Sequence, residues 1–299
     1  MILMKDPDSF DGIIRWLTTS LSFYGRVNDN GEWQAKSGTP FDRTIEIEDV
    51  SLQWPIPPGV KTLQSMVEPN LPWAEDHFQE RISGKPLNPP PSHEWWPFNQ
   101  NSNAEHRPDG DKFSHTYPER FWPKFANSGE TRPNGRQVFV PHNGIRFEYG
   151  GLDNLIELLL ERPNTRQAFL PIWFPEDLMA SRLNERVPCT LGYHFTLRKN
   201  KLTCRYFMRS CDFFRYFRDD VYMAARLTQY IAETLATEQV ANAGSEQAVD
   251  SPIRPGNLVM HISNLHIFEA ERSRLKELEA KQKEEREQDK AQKLMQGGW

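Results

Sequence analysis

One stretch of the chain, residues 187–220, constrains the fold more than any other. A cysteine, Cys189, directly follows Pro188, and the residues after it alternate apolar and polar side chains as a β-strand does. A turn at 199–201 leads into a second alternating run over 202–208, so the sequence predicts a β-hairpin. Polar side chains follow the second strand: Arg209, Ser210 and Asp212, then Asp219 and Asp220 at the start of a predicted helix. The hairpin therefore carries a thiol before its first strand and a polar cluster after its second.

Hydrophobic periodicity predicts further elements on both sides of this hairpin. Helices are predicted over 8–24 (with Ser9 or Asp11 as N-cap), 71–84, 152–161, 221–237 and 269–293, and strands over 44–53 and 168–173. Residues 85–135 are rich in Pro, Asn, Gly and Trp without a sustained period, which is typical of a long irregular region. Residues 238–251 have the composition of a polar linker. The helix over 269–293 is almost wholly charged, so we expect it to be solvated.

Composition excludes several classes of protein. The net charge of −5 argues against a general nucleic-acid-binding surface, because phosphate backbones require clustered cations. No apolar run approaches the length that spans a membrane, and the first residues lack the layout of a signal peptide. The three cysteines, at no spacing typical of metal ligands, indicate reduced thiols in a cytosol-like compartment. We therefore expect a cytoplasmic globular protein with no metal, membrane or nucleic-acid partner.

Three segments together resemble the thymidylate synthase family, including its nucleotide hydroxymethylase branch. The first is the hairpin itself, with Pro188-Cys189 before it and Arg209-Ser210-Cys211-Asp212 at its end. The second is the run from Arg254-Pro255-Gly256 to His266-Ile267-Phe268, similar to a family strand that ends in His-Ile-Tyr. The third is Pro163-Asn164-Thr165-Arg166 leading to Trp173, similar to an arginine-containing family segment. The resemblance covers residues 150–270, whereas the first 110 residues match the family poorly.

The resemblance implies a fold and an assembly. The expected class is α/β (α+β), with a mixed, largely antiparallel sheet flanked by helices. A single catalytic domain is expected over 1–268, including the irregular region 85–135, followed by a charged C-terminal helix or tail over 269–299. The family also implies a homodimer, because members of this fold share site residues across a symmetric interface.

The resemblance assigns Cys189 as the nucleophile, which as a thiolate adds to carbon 6 of a pyrimidine ring. Arg209 and Ser210 would bind the nucleotide phosphate, and the charge of Arg209 would lower the pKa of the thiol. Arg166 would reach the phosphate in the neighbouring subunit's site, and Arg43 is a further phosphate candidate. The family commonly has His after the cysteine, where this chain has Thr190.

Base recognition is assigned by the resemblance to Asp212 and Asp220. Asp220 lies eight residues after Asp212, where uracil-specific enzymes have Asn. A carboxyl group accepts from the exocyclic amine of cytosine and, when protonated, donates to its ring nitrogen, so Asp220 favours cytosine. Residues 215–218 depart from the family pattern, which leaves Asp219 as the alternative. Either acid could instead cap the following helix.

The remaining site candidates come from three parts of the chain. His266 and Phe268 occupy the family's sugar-contacting positions, although Phe268 lacks the hydroxyl of tyrosine. Glu80 is the candidate for the general acid-base carboxylate, on a helix face that it shares with Asp76. Trp96 and Tyr117, with Trp73 and Trp95, could form a flat wall for a folate pterin.

Together these residues predict a (deoxy)cytidylate 5-hydroxymethyltransferase that uses 5,10-methylenetetrahydrofolate and a pyrimidine nucleoside monophosphate, of the kind that serves DNA modification. A deoxyuridylate enzyme that methylates or hydroxymethylates is the alternative. A second alternative, of another class, is a protein that keeps the fold and only binds nucleotide or RNA.

Overall fold

The structure, a computed structural model, describes residues 2–4, 9–29, 42–98, 112–123, 150–183, 185–243 and 252–296. Its α-helices are α1 (Phe10–Tyr24), α2 (Val60–Val67), α3 (Trp73–Ile82), α4 (Tyr117–Phe121), α5 (Leu152–Glu161), α6 (Pro175–Arg182), α7 (Phe217–Ala243) and α8 (Arg272–Gln296). Its strands are β1 (Ile2–Met4), β2 (Arg26–Asp29), β3 (Arg43–Pro55), β4 (Phe169–Pro171), β5 (Thr190–Arg198), β6 (Lys201–Asp212) and β7 (Arg254–Phe268). Short 3-10 helices lie at Pro91–Trp95 and Glu269–Glu271.

The described strands form one seven-stranded sheet in the order β1-β3-β7-β6-β5-β4, with β2 also paired to β3. The pairs β1–β3 and β6–β7 are parallel, and the other pairs are antiparallel. The expected mixed, largely antiparallel sheet flanked by helices is therefore confirmed. Because β6 and β7 run parallel, the residues that end both strands lie at the same edge of the sheet.

The core lies between one face of this sheet and the helices. Helix α7 packs on β6 and β7, α1 packs on β3, and α2, α3 and α5 pack on α7. The central residues of β5 and β6 alternate between fully buried positions, such as Phe195 and Tyr206, and half-buried positions on the opposite face. The apolar-polar alternation that predicted these strands therefore shows which side chains face the helices.

The predicted boundaries of one helix were wrong. Helix α7 begins at Phe217 rather than Val221 and runs on to Ala243, through the first six residues of the predicted linker; residues 244–251 lie outside the described residues. In the predicted irregular region 85–135, the described parts contain a 3-10 helix and α4, while 99–111 and 124–135 lie outside the description.

Helix α8 is largely exposed, in line with the expected solvated helix, but two of its described residues are buried. Leu275 is 2% exposed, and Gln282 is buried where its amide donates to Thr18 of α1. Ser22 of α1 donates to Glu279 of α8. A few apolar and polar contacts therefore hold this charged helix against α1, although the sequence of the helix has no continuous apolar stripe.

Candidate active site

The hairpin places Cys189 directly beside Arg209. Lys199 and Asn200, both with positive φ, make the tight turn between β5 and β6. The register pairs Thr190 with Met208, and one step further the backbone N–H of Arg209 donates to the carbonyl of Cys189 at 2.9 Å. The guanidinium of Arg209 donates to the carbonyls of Val187 and Pro188, and its Nη2 lies 3.8 Å from the sulfur of Cys189. Strand pairing thus brings together two residues that are twenty positions apart.

Of the three free cysteines, Cys189 is exposed, whereas Cys204 and Cys211 are buried. Its thiol nevertheless lies among protein groups, and the loss of surrounding water raises its pKa above the ordinary value. The positive charge of Arg209 opposes this shift, and the negative charge of Asp220 adds to it. The expectation that Arg209 lowers the pKa of the thiol holds for the arginine's own effect, but the net shift is upward because desolvation is larger.

The two acids at the start of α7 point to different partners. The carboxylate of Asp219 accepts from the backbone N–H and the side-chain amide of Asn70, both at 2.8 Å. Asp220 instead lies near Tyr206 and Cys211, whose hydroxyl and thiol approach its oxygens at 3.4 and 3.6 Å. Both acids lie within the helix, so neither is its N-cap. It is Asp220 whose charge acts on Cys189.

The carboxyl of Asp220 has an altered acidity. Burial raises its pKa from 3.8 to about 7; the charge of Arg81 opposes this shift and that of Asp219 adds to it. A carboxyl group with a pKa near neutrality can both donate and accept a proton at physiological pH. In this respect Asp220 is the best-suited group of the site for proton transfer.

A chain of hydroxyls connects Asp220 to the neighbourhood of the thiol. The hydroxyl of Tyr117 lies 3.0 Å from that of Thr190, which lies 2.8 Å from the hydroxyl of Tyr206, and Tyr206 donates to Asp220. Thr190 directly follows Cys189 in the chain. Thr190, which stands where the family commonly has His, therefore links α4 to β6 through hydrogen bonds.

Ser210 and His266 lie next to each other at the common edge of β6 and β7. The Ser210 hydroxyl is 3.3 Å from Nδ1 of His266, and Asp212 is the register partner of His266. Burial lowers the pKa of His266, although the charge of Asp212 opposes the shift. The imidazole is therefore neutral near pH 7 and can donate or accept a hydrogen bond.

Asp212 is engaged within the protein. It accepts from the backbone N–H groups of Phe214 and Arg215, and its other oxygen forms an ion pair with the Arg215 guanidinium at 2.7 Å. Arg215 also pairs with Glu271 and lies over the ring of Phe268 at 4.6 Å. Asp212 and Phe268 thus hold the connection between β6 and α7 in place.

Glu80 lies on α3, but its carboxylate is directed at Ser92 and His77. It accepts from the backbone N–H and hydroxyl of Ser92, each at 2.5 Å, and lies 3.1 Å from Nδ1 of His77. Burial would raise its pKa, but the hydrogen bonds from His77 and Ser92 prevail and lower it. Asp76, expected on the same face, accepts instead from Trp95. Glu80 is therefore ionised near pH 7 and a weak proton donor.

The predicted aromatic wall is present in part. Trp96 stacks on Tyr216 with ring centroids 6.0 Å apart, and Trp73 stacks on His77 and lies 6.1 Å from Trp96. Nε1 of Trp96 is buried and has no hydrogen-bond partner among the described residues. Tyr117 meets the His77 ring edge-on. Trp95 is exposed and bonded to Asp76, so we exclude it from the wall.

The two other predicted phosphate ligands lie on the outside of the molecule. Arg43 begins β3 and forms an ion pair with Glu269 at 3.0 Å, with over half of its side chain exposed. Arg166 is exposed in the segment before β4, and its carbonyl lies 3.0 Å from Nε2 of His194. Neither is brought beside Cys189 by the contacts of this chain.

Sequence reasoning missed Arg81, Tyr206 and Tyr216. Arg81 is buried on the inner face of α3, at helical spacing from Ala74, His77 and Phe78. An arginine among apolar positions of an amphipathic helix is the signal that could have revealed it. Tyr206 had no such signal, because an aromatic residue at a buried strand position is ordinary.

The described residues include no cluster of His, Cys, Asp and Glu that could hold a metal ion. None of the described helices combines the length and apolar character needed to cross a bilayer.

A cysteine, an arginine and a carboxyl group gathered at one edge of a mixed sheet define an α/β protein with an accessible thiol site. A family model for thymidylate synthase matches residues 118–293, which is more than half of the chain. The chain therefore belongs to the thymidylate synthase family.

Curated relatives match over shorter segments. A thymidylate synthase of Listeria monocytogenes serotype 4a (strain HCC23) is 32% identical over 87 residues, 29% of this chain and 27% of the relative. A putative thymidylate synthase of Methanosarcina barkeri is 30% identical over 87 residues, 29% of this chain and 39% of the relative. One of Methanosarcina mazei is 31% identical over 91 residues, 30% of this chain and 41% of the relative. The matched segment thus spans well under half of each relative.

Proposed function

We propose that this protein is a (deoxy)cytidylate 5-hydroxymethyltransferase, which transfers a one-carbon unit from 5,10-methylenetetrahydrofolate to carbon 5 of the cytosine ring and adds water. Family membership supports folate-dependent one-carbon transfer. The finer assignment of the base rests on the position of Asp220, which is buried beside Tyr206 and Cys211 on the side of α7 that faces the site. Burial there raises its pKa to about 7, and its charge acts on Cys189.

Asp220 suits cytosine because its protonated form supplies a donor and an acceptor together. The protonated carboxyl group donates to the ring nitrogen N3, which carries no hydrogen in cytosine, and its other oxygen accepts from the exocyclic amine. With a pKa of about 7, roughly half of the Asp220 groups carry the proton at neutral pH. An ordinary carboxylate would be ionised and would offer only acceptors.

The chemistry follows from the position of the thiol. The sulfur of Cys189, as a thiolate, forms a bond to carbon 6, and the displaced electron pair makes carbon 5 nucleophilic while Asp220 protonates N3. Carbon 5 then bonds to the methylene carbon of the folate and loses its proton. Expulsion of the tetrahydrofolate nitrogen leaves an exocyclic methylene group. Water adds to this group as the bond between sulfur and carbon 6 breaks, which gives the hydroxymethyl product and frees Cys189.

The phosphate and sugar would be held at the edge of β6 and β7. Arg209 and Ser210 supply charge and a hydroxyl for the phosphate, and neutral His266 beside Ser210 would contact a sugar hydroxyl. Phe268 cannot donate to the sugar, and Arg43 would have to leave Glu269 to reach a phosphate. Asp212 would act through its backbone and by orienting Arg215.

For the folate, Trp96 and Tyr117 offer the surface that a pterin ring requires. Trp96 presents a flat face together with the donor Nε1, which has no partner in the described part of the chain, and Trp73 extends the wall. Glu80, held by Ser92 and His77, would anchor this side of the site.

The test is a product assay with purified protein, methylenetetrahydrofolate and each of dCMP, CMP and dUMP. A gain of one CH2O unit on a cytidylate is expected, with tritium released from carbon 5. Asp220→Asn should shift the preference toward dUMP, because an amide matches the ring N–H and carbonyl of uracil. Asp219→Asn is the matched control and should keep the preference for cytosine. Cys189→Ala should abolish tritium release, and persisting activity would refute the mechanism.

A second candidate is a deoxyuridylate enzyme that methylates or hydroxymethylates, and the names of the relatives favour it. In that case only dUMP gives product, and the Asp220→Asn variant retains or gains activity on it. Product from no nucleotide, with binding retained, would leave a protein that only binds nucleotides.

We further propose that the site is shared in a homodimer. Arg166 is exposed beside His194, and the sheet face with half-buried His194, Phe207 and His261 faces away from the helices. A second copy on this face would bring its Arg166 to the phosphate. Inactive Cys189→Ala and Arg166→Ala proteins, mixed in equal amounts and allowed to exchange subunits, should then recover about a quarter of wild-type activity, because hybrid dimers contain one intact site. No recovery would refute sharing.

A further inference from the structure

Arg81 is a buried cation without an ion pair in the described part of the chain. Its side chain extends from α3 over the ring of Tyr117, with the guanidinium carbon 4.0 Å from the ring centroid. The residue is 5% exposed, and its Nε is buried with no hydrogen-bond partner among the described residues. The carbonyl of Arg81 accepts from Nε1 of Trp122 at 2.8 Å, which fixes this turn of α3 against α4.

The other two buried arginines of the described chain each form an ion pair. Arg120 forms an ion pair with Asp177 at 2.7 Å, and Arg226 pairs with Glu75 at 3.1 Å. A buried charge that lacks a partner is costly, and proteins normally pair it or replace it with an apolar side chain. Among the described residues, Nε of Arg81 is left without an acceptor, which suits a partner bound in the site.

The surroundings of Arg81 show where that partner would lie. Its charge acts on Asp220, on Tyr117 and on Tyr193. The hydroxyl of Tyr117 bonds to Thr190, the residue next to Cys189. Arg81 therefore lies on the side of the site that holds Tyr117 and Asp220. The carboxylate of its neighbour Glu80 is instead bonded to Ser92.

We propose that Arg81 is a catalytic residue that contacts the pyrimidine ring and stabilises the negative charge formed when Cys189 adds to it. The inference rests on the proposed function. When sulfur bonds to carbon 6, the electron pair of the double bond between carbons 5 and 6 moves through carbon 4. In cytosine it reaches N3 and is shared with the C2 carbonyl oxygen until N3 takes a proton, and in uracil it reaches the C4 carbonyl oxygen. A desolvated guanidinium stabilises such charge far better than water-exposed donors do.

The test compares the wild type with Arg81→Met and Arg81→Lys. Arg254→Met is the matched control, because Arg254 is exposed at the start of β7, the end opposite to His266. Three quantities are measured: tritium release from the nucleotide that the wild type converts, the dissociation constant of that nucleotide without folate, and the thermal unfolding midpoint. We expect Arg81→Met to lose about 10²- to 10³-fold in rate, the usual effect of removing a donor to a developing negative charge.

The same variant should change nucleotide affinity less than about tenfold and should keep or raise the unfolding midpoint, because an unpaired buried charge has been removed. Arg81→Lys should recover part of the rate, and Arg254→Met should match the wild type. Unchanged tritium release, or a loss of rate that only follows a lowered midpoint, would overturn the role of Arg81. A wild type that releases no tritium from any nucleotide would refute the proposed function itself, and the role of Arg81 with it.

Discussion

Replacing Asp220 by asparagine should change how the free energy of unfolding depends on pH. In the folded protein burial raises the pKa of Asp220 from 3.8 to about 7. The folded state therefore binds this proton more tightly than the unfolded state does. The resulting stabilisation is complete below pH 3.8 and is lost as the pH rises through 7. Asparagine carries no titrating proton, so it removes this dependence.

The magnitude can be worked out from these two pKa values. Each pH unit between them corresponds to about 1.4 kcal/mol, so the full effect is about 4 kcal/mol. Between pH 5 and pH 8, the free energy of unfolding of Asp220→Asn should rise by about 2–3 kcal/mol relative to the wild type. Water that enters the site would lessen the burial of Asp220 and so reduce this difference in free energy. The titrating and charged groups around Asp220 are unchanged by the substitution: Arg81, Asp219, Cys189, Cys211, Tyr117 and Tyr206.

The assay is urea unfolding of both proteins at several pH values. Most other groups titrate alike in both proteins, so the difference between them isolates Asp220. A difference that stays constant from pH 5 to pH 8 would show that Asp220 has an ordinary acidity. The main support for cytosine recognition by a protonated carboxyl group would then be lost.

Three further outcomes are expected. Iodoacetamide should alkylate Cys189 before the two buried cysteines, as mass spectrometry of peptides would show. The alkylation rate should still increase above the pH at which an unperturbed thiol ionises, and a rate that levels off earlier would contradict the raised pKa. Asp219→Ala should lower the free energy of unfolding by about 2 kcal/mol, because two hydrogen bonds from Asn70 to a buried carboxylate are lost; a neutral effect in urea titrations would be inconsistent with this pairing. Leu275→Ala should cost about 2 kcal/mol by the same measurement, whereas exposed Lys281→Ala should cost little; equal effects would mean that α8 does not pack on α1.

The sheet and its neighbours could be predicted because their signals are local. Alternation over the hairpin strands and over β3 depends only on which face each side chain takes, so it is readable without the rest of the chain. Helix α5 was predicted with its observed bounds, because Pro163 follows its last turn. The choice of Cys189 and Arg209 came from the resemblance to the family, and the folded hairpin brings the two side chains together.

Tertiary structure decided the roles of the charged residues. The sequence could not distinguish Asp219 from Asp220, because both lie in the first turns of the same helix. Their side chains point in different directions, and only the folded structure places Asn70 beside Asp219 and Tyr206 beside Asp220. Nor could it show that Glu80 is held by Ser92 while Arg81 flanks the site. Hydrophobic patterning is a property of neighbouring residues in the chain. The pKa and partners of a buried charge depend on groups that only folding brings together, and this site is built from such groups.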